Sequence, residues 1–317
     1  MIHLHIPDWA RIILVLLSII SFIPQLHRIC AHKTSSGLSL AALLCNLIVA
    51  TEQFTIFFFV CIDENSKFPT IYTHGPLTAG DWLNFVQTTV VWIFFLVQYC
   101  YLACMDPGFP DRADRSNDRF AIALYYSNKR RTGLVLIYLL YLLVSLVLIL
   151  FDLFQYATYP DWDRNRIWVA AFWYYYHSIF LFPVISILGL VAIYLQSKTV
   201  QRSANFPASL SFRGLQLQAV IFLFVALSWV WRITFPWEKV EYVSFNVLRV
   251  WFEMIGWIAT DNAIFAVGQG VILLLALRRL RMTEADEDPG SPRDDRETEP
   301  LLGADDSGGY TSISGRG

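Results

Sequence analysis

Charged side chains are scarce in this chain: Asp, Glu, Lys and Arg make up 16% of its 317 residues, against about a quarter in ordinary soluble domains. A water-facing surface cannot be built from so few, which excludes a soluble globular protein. The five cysteines, Cys30, Cys45, Cys61, Cys100 and Cys104, are scattered rather than set at loop spacings, which excludes a disulfide framework. Six histidines make no cluster with Cys, Asp or Glu at the spacing of a metal site. No nucleophile, base and orienting group stand at a spacing that favours catalysis, so neither an enzyme nor a cofactor is expected. A net charge of −2, divided between loops and a tail, offers no basic surface to nucleic acid.

What the chain has instead is apolar length. It is 56% hydrophobic, with a mean hydropathy of +0.46. Runs able to cross a hydrocarbon core of about 30 Å, roughly 20 residues as helix, fall at about 9 to 29, 37 to 61, 81 to 104, 132 to 153, 167 to 195, 213 to 235 and 246 to 277. The expected fold class is all-α: a polytopic membrane protein of seven transmembrane helices, spanning residues 1–282, embedded in a lipid bilayer.

Orientation follows from the basic residues in the connections, because cytoplasmic loops retain them. Arg28 and Lys33 follow span one, six Lys or Arg between Arg112 and Arg131 follow span three, Lys198, Arg202 and Arg213 follow span five, and Arg278, Arg279 and Arg281 follow span seven. All four sets lie on one side, which places the N-terminus in the lumen and the C-terminus in the cytosol. The first run is too long for the core of a cleavable signal and ends in Pro-Gln and basic residues, so it is expected to stay.

The junction of spans one and two is the most informative segment. Pro24 removes a backbone donor and its ring clashes one turn back, so a helix starting near Trp9 is expected to bend or loosen there. After Pro24 and Gln25 come seven residues, Lys33, three residues, then Gly37, Leu38 and Ser39. Gly37 turns the chain without steric cost, and Ser36 and Ser39 can cap the next helix.

This pattern resembles the PQ-loop motif of seven-span membrane proteins such as cystinosin and the vacuolar basic amino acid transporters. The resemblance implies a 3+1+3 parallel-repeat bundle, with a first repeat at about 9–104, a linker helix at about 132–153 and a second repeat at about 167–277. It also implies that Pro24, Gln25, Lys33, Gly37 and Ser39 form a moving hinge. The second motif departs from the pattern. Setting Lys198 and Thr199 against Lys33 and Thr34 puts Gly189 and Leu190 where Pro-Gln belongs, which reads as degenerate or absent.

Ionisable groups inside a bilayer are costly and mark functional candidates. Glu52 lies 15 residues beyond Gly37 and Asp261 lies 16 before Leu277, so at 1.5 Å per residue both are roughly 22 to 24 Å from the cytosolic edge. Gln53 and Asn262 flank them, and Gln87 and His177 fall near the same depth. Together they read as a polar layer able to hold a substrate or a proton; for Glu52 and His177 the competing reading is helix packing. Arg249 and Glu253, spaced i, i+4, can pair near the lumenal end of span seven. Cys100 and Cys104, one turn apart near a membrane edge, suit either palmitoylation or simple packing.

From residue 283 the composition turns to Glu, Asp, Pro, Gly, Ser and Arg, too polar to order itself, so 283–317 reads as a disordered cytosolic tail. Within it Glu297, Leu301 and Leu302 form an acidic dileucine signal and Tyr310 starts a tyrosine-based one, both of the kind clathrin adaptor complexes bind. The expected function is a PQ-loop transporter that exports a small polar solute, an amino acid in the first place, with protons, from a vacuole or lysosome. The alternatives are a lipid scramblase or trafficking regulator of the same family, and a Golgi or endosomal membrane.

Overall fold

The computed structural model describes residues 6–32, 37–62, 77–105, 118–158, 168, 171–173, 175–202, 209–233 and 244–286. Lys33 and the tail residues Glu297, Leu301, Leu302 and Tyr310 lie outside them. The described residues are all-α: α1 (Asp8–His32), α2 (Leu40–Ile62), α3 (Ala79–Cys104), α4 (Asp118–Thr158), α5 (Phe182–Arg202), α6 (Phe212–Arg232), α7 (Phe245–Trp251) and α8 (Trp257–Asp286). A π-helical turn, His177–Leu181, leads into α5, and another, Phe252–Gly256, joins α7 to α8. Seven segments are long and apolar enough to cross a membrane, the fifth being Ala171–Arg202 and the seventh Phe245–Met282.

Local chemistry sets most helix starts. Thr78 and Asp81 form a reciprocal capping box on α3, and Ser211 and Ser244 cap α6 and α7, each satisfying a backbone donor that the first turn leaves open. The π turn before α5 answers Pro183, which lacks an N–H and crowds the carbonyl of Ile179; the wider turn relieves that crowding.

Several boundaries differ from the hydropathy reading. α4 covers Asp118–Thr158 rather than 132–153. α8 continues to Asp286 rather than ending near 277, and so takes in the first residues read as tail. Others shift less. α1 runs through Pro24 to His32 instead of ending near 29, because packing between α3 and α6 carries the helix across the lost hydrogen bond. The fifth span reaches Arg202 rather than 195, so Gln196 and Lys198 are helical. The sixth stops at Arg232, with Ile233 already extended.

The helices form one bundle. α1 packs on α3 and α6, α2 on α3, α4 and α5, and α8 on α5 and α6. Exchanging α1, α2 and α3 with α5, α6 and α8 leaves these pairings unchanged, apart from α4, which lies on the outside of α2. Outward faces are apolar, with Leu16, Ile20, Leu140, Leu143, Val220 and Phe224 among the exposed side chains. A belt of that kind is stable against lipid and not against water.

Candidate functional site

The chain turn between α1 and α2 is tied to the opposite half of the bundle. Gly37 takes a left-handed conformation, φ 83°, open to glycine at no steric cost. Its carbonyl accepts a bond from Gln196 Nε2 at 2.6 Å, while Ser39 N–H donates to Gln196 Oε1 at 2.9 Å. On the other side Gln25 Nε2 donates to the Ser209 carbonyl at 2.9 Å, and Ser211 N–H donates to Gln25 Oε1 at 2.9 Å. Ser39 and Ser211 then receive the backbone N–H of Ala42 and Gly214, starting α2 and α6 in the same way.

The second motif is therefore Leu195-Gln196 followed by Ser209-Leu210-Ser211. It is degenerate, having lost its proline, and it lies six residues beyond the register drawn from Lys198. Lys33 follows Gln25 by eight residues but Lys198 follows Gln196 by two, so setting one lysine against the other misses it by six. The glutamine's two-bond grip on backbone identifies it.

Between the two corners lies a cavity of about 80 Å³, room for several waters. Eight carboxamides line it: Gln53, Asn262 and a further six, Gln25, Asn46, Gln98, Gln196, Gln218 and Gln269. Those six come in three pairs at nearly one separation: 171 residues from Gln25 to Gln196 and from Gln98 to Gln269, 172 from Asn46 to Gln218. The exchange of helices described above thus relates the side chains of the cavity as well as the packing. That constant offset was the sequence signal for Asn46, Gln98, Gln196, Gln218 and Gln269, none of which polarity alone had singled out.

The exchange fails at one place. Asp261, Asn262 and Gln53 also line the cavity, and the same offset puts valines at Val90, Val91 and Val225. Asp261 Oδ1 accepts from Ser186 Oγ at 2.5 Å, and Gln53 faces the same carboxyl group. Its Oδ2 is buried and, among the described residues, takes no hydrogen bond of good geometry. Asn262 is turned to its own helix, donating to the Ile258 carbonyl at 2.8 Å. Phe95, Phe222 and Phe265 supply apolar wall, edge to face with one another.

Glu52 and His177 meet each other but not this cavity. Glu52 is fully buried on the outer side of α2, with Oε1 2.5 Å from His177 Nδ1 and Oε2 accepting from Tyr141 at 2.7 Å. Tyr141 and Tyr138 belong to a buried stripe on α4 with Ser145 and Ile149; Tyr138 receives Trp92 Nε1–H at 3.2 Å. That stripe, spaced at three and four residues in an otherwise aliphatic helix, is how α4 docks on α2. Gln87 is also apart from the cavity, donating to Ser18 Oγ at 2.8 Å. The polar residues read as one layer are thus three groups: a carboxyl on the cavity, a Glu-His-Tyr cluster behind its wall, and a Gln-Ser contact on α1 and α3.

Past Asp261 and Gln53 the bundle is closed by packed rings. Phe57 lies 5.1 Å from Trp229, Phe59 4.2 Å from Trp173, and Phe182 4.1 Å from Trp257. Pro24 is half-buried beside Gln25 and is not part of the cavity wall. Arg249 and Glu253 pair at 2.7 Å on the half-open surface before α8. Among the described residues no group of three His, Cys, Asp or Glu is placed to hold a metal.

Residues 8–65 match the family model of the PQ loop repeat. No curated protein and no solved structure matches the chain.

Proposed function

We propose that this chain, a PQ-loop family membrane protein with seven spans, carries a small polar solute, an amino acid in the first place, out of an acidic vacuole or lysosome together with protons. The cavity carries this reading. Amides donate and accept without net charge, so six of them can surround a zwitterion that a charged wall would repel at one end. Asp261, whose carboxyl group faces the cavity between Ser186 and Gln53, adds a single place for an ammonium group or a proton.

The exchange-symmetric packing supports two parallel three-helix repeats flanking α4, the arrangement in which one repeat rocks against the other around a central site. In this state the aromatic cluster closes one end, and the cavity reaches the Gln25 and Gln196 corners at the other. With the basic loops in the cytosol, the corners face the cytosol and the rings face the lumen. The tail signal at Glu297, Leu301 and Leu302 supports adaptor-dependent delivery to the vacuole or lysosome.

Leu301→Ala with Leu302→Ala should bring the full chain to the cell surface, where uptake of radiolabelled neutral and basic amino acids is measured with acid outside. Uptake that needs the acid gradient and disappears in Asp261→Asn is expected. Surface protein that takes up none of them would sink the reading, and lipid exchange in reconstituted vesicles without solute flux would assign a scramblase instead.

A further inference from the structure

At the end of the bundle away from Gly37, two arginines are buried against one amide. Arg11, in the first turn of α1, is 2% exposed, and Arg232, the last residue of α6, is 6% exposed. Their Nη1 atoms both reach Asn84 Oδ1 on α3, at 3.5 and 3.3 Å. Arg11 has the carboxylates of Asp8 and Asp81 within electrostatic reach, whereas the charged group that bears on Arg232 is Arg11 itself, of the same sign. Asp8, half exposed, stands 4.0 Å from Arg11 Nε, on the outer side of the pair.

Arg232 lies over the Trp229 ring at 4.5 Å, and a cation at the C-terminus of α6 suits the helix dipole. Neither explains its remaining donors. Nε and Nη2 are both buried and have no hydrogen-bond partner among the described residues. These two atoms form one edge of the guanidinium plane, the edge that grips both oxygens of a carboxylate side-on. Leaving a buried charge with an open edge is strongly unfavourable unless a ligand fills it.

We propose that Arg232, Arg11 and Asn84 form a binding site for the carboxylate of a small soluble acid. Gly80 leaves the space that the Arg11 guanidinium occupies, since a methyl group there would collide with Arg11 Nη1. The site faces inward, not to lipid. Along α1 the buried polar positions Arg11, Ser18, Ser21 and Gln25 share one face; Gln87 bonds Ser18, and Gln218 Nε2, on the cavity wall, donates to the Ser21 carbonyl at 3.4 Å. A polar seam therefore runs from the arginine pair to the amide cavity, and a soluble anion, rather than a headgroup phosphate, is the group that fits its outer end.

Binding is measurable without transport. Purified full-length protein in neutral detergent is titrated with sodium acetate against sodium chloride at equal ionic strength, reading melting temperature and tryptophan emission. Acetate should raise Tm by about 1–2 °C over chloride, the shift expected of a chain of this length from a weakly held ligand. The accompanying emission change should vanish in Trp229→Phe while the Tm shift stays. Arg232→Gln should lose the acetate response yet melt no lower than the native protein in acetate-free buffer, because it removes an open buried charge; a purely structural arginine would lower Tm. Acetate acting no more strongly than chloride on the native protein overturns the site, as does an undiminished response in Arg232→Gln. A shift produced by added phosphatidylglycerol with acetate silent would make it a lipid contact and overturn it equally.

Discussion

Gln25 and Gln196 each hold the backbone that leads into the other half's second helix: Gln25 bridges Ser209 and Ser211, and Gln196 bridges Gly37 and Ser39. The two corners are thus crossed rather than self-contained. Neither half can shift at this face without releasing two hydrogen bonds to the other.

Gln25→Leu and Gln196→Leu should therefore have matching effects. Each strips partners from a buried carbonyl and a buried N–H, costing about 1–3 kcal/mol for each group left unpaired. Thermal melts of the two variants in the same detergent test the equivalence: a large loss in Gln25→Leu beside a silent Gln196→Leu would show that only the first motif matters.

Gly37 permits a sharper test at the same corner. Valine at φ 83° is strained and β-branched, so Gly37→Val should destabilise by more than about 1 kcal/mol, whereas Gly37→Asn, which tolerates the left-handed region, should be milder. The ordering of the two melting temperatures is the readout.

Behind the cavity wall, removing His177 leaves buried Glu52 with the Tyr141 hydrogen bond but without its imidazole partner. Removing Glu52 strips both His177 and Tyr141 of the carboxylate they share. His177→Ala and Glu52→Ala are each expected to cost roughly 3–5 kcal/mol, and the double variant should cost clearly less than their sum because the contact is shared. Additive losses in a double-mutant cycle would mean that the 2.5 Å contact contributes nothing to stability.

Transport should divide the same two acids. Asp261 touches the cavity and Glu52 does not, so Asp261→Asn should abolish acid-driven uptake and weaken solute binding, while Glu52→Gln should leave binding affinity within about twofold. Scintillation proximity binding on purified protein separates these outcomes from changes in rate.

Much of the architecture was legible along the chain. Seven apolar runs became seven spans, since crossing about 30 Å of hydrocarbon demands length and hydropathy, and both are local properties. Pro24, Gln25, Gly37 and Ser39 could be read as a unit because the motif is contiguous. Boundaries slipped where packing overrode local signals, as at Pro24, inside a helix that continues to His32, and at Gln196, which hydropathy placed beyond the fifth span.

The candidate site was legible in part. Asp261 and Gln53 reach the cavity, but Glu52 turns to His177 and Tyr141 behind it. Adjacent residues on a helix share a depth and point about 100° apart, so depth counted along the chain cannot say which neighbour a side chain faces. The amide ring and the arginine pair eluded the same count, since their members come from helices far apart in sequence.

Class, span number and the first motif thus follow from residues read one segment at a time, because the bilayer imposes its terms on each segment separately. Which glutamine answers Gln25, which acid meets the cavity and where two arginines converge depend on how helices rotate and pack against one another, and that is a property of the folded bundle alone.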